Sequence, residues 1–170
     1  MKTTVIRPIR LGVLAVWLAV AAGFGCQLKA ASYEGTTATQ QDNVMIEPGA
    51  PREGRWEDSS IIVNFTYSNA PDGFEFSGSV ELAPRLEKTF RTVNNFSVRA
   101  NFLDEEKIIL KSVPIVVASR QPIRLWRFSR NFDLPPVARS INFSYNGRAM
   151  EGGSLGPGGD GTDMFFWRVP

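Results

Sequence analysis

Between Arg120 and Arg130 the sequence reads RQPIRLWRFSR, setting four guanidinium groups, Arg120, Arg124, Arg127 and Arg130, among the rings of Trp126 and Phe128. A guanidinium is a planar, permanently charged fork that grips carboxylates and phosphates with paired hydrogen bonds. The local charge adds to the pattern. From Lys107 to Arg148 there are eight Lys or Arg and one acid, Asp133, whereas Glu34 to Glu87 is biased the other way. These four arginines are candidate anion-binding residues for a lipid headgroup, a glycan or an acidic protein patch. The same residues also suit a structural arrangement, in which long Arg stems cover aromatic rings and their charge is matched inside the fold.

Other chemistry is sparse. The chain has no His and one Cys, which removes Ser/His and Cys/His nucleophile pairs, His/Cys zinc sites and any intramolecular disulfide. The adjacent acids Glu57/Asp58 and Glu105/Glu106 fall at tether and turn positions without a companion base, and read as hydrated surface. A glycosidase needs two carboxyls across a cleft, and a domain of roughly 95 residues leaves little room for one. Gly158 to Phe166 (GGDGTDMFF) fits the calcium nonapeptide G-G-x-G-x-D-x-U-x, but the preceding nine residues do not repeat it. One copy does not supply the six or more oxygens that calcium takes. No catalytic residue, metal or cofactor is expected. The N-x-S/T triplets at Asn64, Asn95 and Asn142 read as outward polar residues flanking an inward Phe.

At the N-terminus, Lys2, Arg7 and Arg10 precede an uncharged apolar run, Leu11 to Phe24, in the order of an export signal. Of the 19 Lys and Arg these three belong to the leader; the other 16 face 17 acids, a net charge of −1. The basic balance is thus a property of the leader, and no nucleic-acid partner is expected. Cys26 follows at once. Gly23-Phe24-Gly25-Cys26 resembles the lipobox of bacterial lipoproteins, in which a small residue precedes a cysteine that is diacylated and becomes the mature N-terminus. The resemblance implies lipidation of Cys26 and, with Gln27 next, similarity to the class directed to the outer membrane. Gly23 and Phe24 depart from the aliphatic and small residues that the pattern prefers. Two further readings stay open: ordinary cleavage between Ala21 and Ala31, or an uncleaved anchor over Leu11 to Leu28, 18 residues without a charge.

The elements that would position these residues are strands. Residues 26–55 are rich in turn formers and poor in apolar periodicity, and are expected to be a flexible tether reaching about 30 Å. From residue 56 the pattern alternates with period two. Ile61, Val63, Phe65 and Tyr67 share one face; Phe74, Phe76, Gly78, Val80 and Leu82 share another, with Asn69–Gly73 as the turn of a hairpin. Phe96–Phe102, Ile108–Val117, Ile123–Phe132 and Val137–Tyr145 continue the series, with Pro114 marking an edge or a bulge. Along Ile123–Phe132 the apolar set changes sides between Leu125 and Trp126, as a bulge or a strand switching sheets would require. Val63–Tyr67 (VNFTY) and Ile141–Tyr145 (INFSY) are nearly the same pentapeptide and suggest equivalent strands.

About six strands and no helix beyond the leader predict an all-β, antiparallel two-sheet sandwich. It resembles immunoglobulin-like or fibronectin-like envelope domains, without the Cys/Trp/Cys or tyrosine-corner pattern. The expected organisation is a signal over 1–25, a lipidated N-terminus and tether over 26–55, the sandwich over 56–150, and a Gly-rich loop with an apolar C-terminal strand over 151–170. The functional expectation is a non-enzymatic cell-envelope lipoprotein, a structural or protein-interaction module at the outer membrane facing the periplasm. Its partners would be the membrane, through the N-terminal lipid, and an envelope protein. The alternative is a module that recognises anionic lipid headgroups or glycans.

Overall fold

The computed structural model describes residues 32–47, 49, 51–70, 73–151 and 163–170. The expected signal, Cys26, and residues 158–162 of the nonapeptide lie outside the described residues. In chain order the elements are β1 (Val44–Met45), β2 (Arg52–Glu57), β3 (Ile61–Ala70), β4 (Gly73–Leu82), the short helix α1 (Pro84–Thr89), β5 (Thr92–Leu103), β6 (Ile109–Ala118), β7 (Gln121–Pro122), β8 (Trp126–Phe132), β9 (Ser140–Met150) and β10 (Asp163–Arg168).

The strands form two antiparallel sheets. One runs β2-β3-β4-β8; in the other, β5 lies between β9 and β6, β1 and β10 share the far edge of β9, and β7 extends the β6 side of β5. The period-two alternation buries one face of each strand between the sheets. Phe65 meets Phe143 at 5.5 Å between ring centroids, Phe76 meets Phe102 at 5.8 Å, and Phe96 meets Trp126 at 4.9 Å. The two similar pentapeptides lie on β3 and β9, facing one another across the core. In each, the first, third and fifth residues point inward, and the terminal Tyr uses its hydroxyl at the rim. Tyr67 donates to the Met45 carbonyl and accepts from the Glu47 N–H, while Tyr145 donates to Asp58 at 2.5 Å.

Departures from regular pairing occur where the sequence changes phase. Val93 and Phe96 have opposite parity, yet both are buried, because the β5–β9 register shifts between Asn94 and Ser97. Asn95 absorbs the extra residue at φ 51°, a left-handed conformation that Asn tolerates well. Pro114 lies on edge strand β6, beside a second shift: Val98 pairs with Val116 and Arg99 with Pro114, leaving Ile115 without a partner. Between β7 and β8 the chain crosses from one sheet to the other, which accounts for the change of sides around Leu125.

Three expectations are corrected. The segment taken as a tether folds from Ser32 onward, where the compact unit begins. Gly35 and Ala38 donate backbone hydrogen bonds to Ile109 and Lys107, β1 joins β9, and β2 adds a full strand to β3 with Trp56 buried. A run of Gly, Pro and charged residues hides these strands because only Trp56 of β2 is inward and large. The helix α1 was not expected either; it is too short for periodicity, and Pro84 at its start with buried Leu86 and Phe90 is its only signal. Asn142, expected outward and hydrated, is fully buried, accepting a hydrogen bond from Asn101, which also donates to Ser144.

Candidate functional site

The four arginines singled out by sequence do not converge. Arg130, exposed at the open edge between β8 and β6, donates to the Pro114 and Ile115 carbonyls at 3.1 and 3.4 Å. It thereby satisfies carbonyls at the bulge and ties the two sheets together. Lys111 does the same from the opposite side, donating to the Asp133 carbonyl at 2.7 Å with its ammonium 4.9 Å from the Phe132 ring. Arg120, at φ 51°, forms the turn between β6 and β7, and Arg124 donates to Gln121. Arg127 alone projects from the outer face of β8; Trp126 and Phe128 on either side of it are 6% exposed and belong to the core.

That outer face holds an open groove of about 690 Å³. Its composition follows from the strand register. Arg55, Asn64, Ser79 and Arg127 form one row across the four strands, and Glu53, Thr66, Ser77 and Ser129 form the next. In these two rows Arg55 and Glu53 stand on edge strand β2 and Arg127 on edge strand β8, with the shorter Asn64, Thr66, Ser77 and Ser79 between them, so the rows form a shallow trough over β3 and β4. Beneath the trough, on the inward face, Gly78 lets β3 and β4 approach closely, since a Cβ there would run into the Asn64 carbonyl. Arg55 donates to Glu57 and, at 3.2 Å, to the Asn64 side-chain oxygen. Among the described residues Arg127 makes no ion pair or hydrogen bond, and the hydroxyls of Thr66, Ser77 and Ser79 are uncommitted. Sequence reading found Arg127 but not Arg55, because β2 was hidden in the supposed tether.

A second polar cluster sits at one end of the sandwich. Arg168 donates to Asp42 at 2.6 Å, to Asp58 at 3.3 Å and to Gln40 at 2.5 Å, with its guanidinium 5.0 Å from the Trp56 ring. Trp56 donates its indole N–H to Asp42 at 3.1 Å. The other oxygen of Asp58 accepts the Ser60 and Ile61 N–H groups. Burial, followed by the hydrogen bond to Asp58, pushes the Tyr145 hydroxyl well above its ordinary pKa. Every carboxylate here has structural partners, so the cluster is a clasp joining residues 40–42, the β2–β3 turn and β10.

Asp163 of the glycine-rich segment pairs with Arg148, and no group of three or more metal-ligating side chains exists among the described residues. The described residues form an all-β, two-sheet antiparallel sandwich whose candidate sites lie on its faces. Neither a family model, a curated protein nor a solved structure matches the chain.

Proposed function

We propose that the chain is a lipid-anchored cell-envelope module that acts by presenting a sandwich face to a protein partner. The observation that carries this reading is the outward side of β10. Phe165 and Trp167 are 66% and 72% exposed, while Phe166 between them is buried against Phe96 and Tyr145. Val117, 76% exposed, stands in the same cross-strand row, Trp167–Asn146–Ser97–Val117. The neighbouring exposed rings of Phe165 and Trp167 make the contact surface, since large rings supply most of the energy of such contacts, and Val117 adds an apolar point at the far edge of the face, across polar Asn146 and Ser97. The envelope address rests on Cys26 after the apolar leader run.

Two measurements test it. Mass spectrometry of the purified protein is expected to show a chain beginning at residue 26 with added lipid; an intact Met1 or an unlipidated start overturns the anchor. A photo-crosslinking residue at position 167 is expected to give one discrete protein adduct in intact cells, and the same residue at position 129, on the opposite sheet, none. Equal adducts at both positions, or none at 167, overturn the partner surface.

A further inference from the structure

We infer that the trough on the β2-β3-β4-β8 face is a binding site for an acidic oligosaccharide, a hydroxyl-rich chain carrying widely spaced carboxylates. It is separate from the β10 surface, which lies on the other sheet. The ligand class follows from what the trough offers and what it lacks. Its walls are Arg55 with Glu53 on β2 and Arg127 on β8, about 14 Å apart across three strand spacings. Its floor is Asn64, Thr66, Ser77 and Ser79, whose three hydroxyls and amide N–H₂ group have no protein partner among the described residues. Such a floor exchanges hydrogen bonds with hydroxyl groups. The floor runs along β3 and β4 from the Ile62–Glu81 row to the Ser68–Glu75 row, and its elongated form suits a short stretch of an extended chain better than a compact molecule.

Charge narrows the choice. Arg127 has no carboxylate of its own within the described residues, so its fork is available to an anion from solution. Glu57 and Glu81 stand in the row at one end of the trough and Glu75 near the other. A polyanion with closely spaced charges would be repelled there, as would a flat anionic membrane. A single nucleic-acid strand would also need aromatic platforms for its bases. The outward residues of this face are Arg, Glu, Asn, Ser, Thr and Ile, with no ring. An isolated carboxylate at Arg127, with sugar hydroxyls along the floor, satisfies all of these conditions.

The test is retention of the full-length protein on an array of acidic and neutral oligosaccharides, followed by titration with the best binder. Binding is expected for uronic-acid-containing chains and not for their neutral counterparts. Arg127→Gln should weaken it at least tenfold, and Ser79→Val, which fills the floor while suiting a strand, should do the same. Circular dichroism and thermal melting are expected to be unchanged in Arg127→Gln, since the side chain is exposed and makes no hydrogen bond or ion pair among the described residues. Binding of neutral chains equal to acidic ones, acidic binding indifferent to Arg127→Gln, retention only on phosphatidylglycerol vesicles, or no binding at all would each overturn the inference.

Discussion

Trp126 and Arg127 are neighbours with opposite duties, and the contrast can be measured. Trp126 is buried against Phe96, and its indole N–H has no partner among the described residues. Replacement by Ala removes a large side chain from a packed core and should cost about 3–5 kcal/mol. Replacement by Phe keeps the ring contacts and sheds the unpaired donor, so it should cost less than about 1.5 kcal/mol. Arg127→Glu, on the outer face, should stay within about 0.5 kcal/mol of the parent. Urea unfolding of the three variants would check this ordering; a stable Trp126→Ala would remove Trp126 from the core.

At the scale of elements, the β3–β4 hairpin tests how tightly two strands meet. Gly78→Ala must separate the backbones of β3 and β4, because the atoms in the way belong to Asn64 and Phe65 main chain rather than to movable side chains. A loss of about 2 kcal/mol is expected, read as a drop in melting temperature, whereas Ser77→Ala beside it should be nearly silent. This hairpin was also the most legible element in the sequence, since Ile61–Tyr67 and Phe74–Leu82 alternate inward apolar residues with mostly polar ones and the ten residue pairs of the two strands align without a shift. Legibility failed where phase or length broke the pattern. Residues Arg52–Glu57 form a strand through pairing with β3 rather than through their own alternation, and α1 is only six residues long. The trough was half visible for the same reason: Arg127 stood in a recognisable strand, while its opposite wall, Arg55, belonged to a strand that only tertiary pairing creates. No spacing rule brings positions 55, 64, 79 and 127 into one row without the register.

At the scale of the folded unit Ser32–Pro170, the clasp at Arg168 ties the early residues 40–42 to the last strand. Tyr145 reports on it through pH. Its pKa is raised above the ordinary 10.0, so at pH above 10 the folded chain keeps a proton that the unfolded chain releases. Stability contributed by this group is complete below pH 10 and declines as pH rises toward the folded value. Tyr145→Phe should therefore be about 1 kcal/mol less stable at pH 8, from the lost bond to Asp58, with the gap to the parent narrowing above pH 10. Parallel denaturation curves at the two pH values would show this; a gap that widens at high pH would mean that the hydroxyl is not held as described.

The same clasp determines how the domain would bear a load. A pull on the chain ahead of Ser32 first meets the Gly35 and Ala38 bonds to Ile109 and Lys107, which can be peeled away one after another. It then reaches Thr39, Gln40 and Asp42, which grip Pro170, Val169 and Arg168 together. Bonds that must break together resist far more than bonds that break in sequence. Tension would therefore strip away the first few residues easily and then be arrested at the clasp, with both sheets still intact behind it.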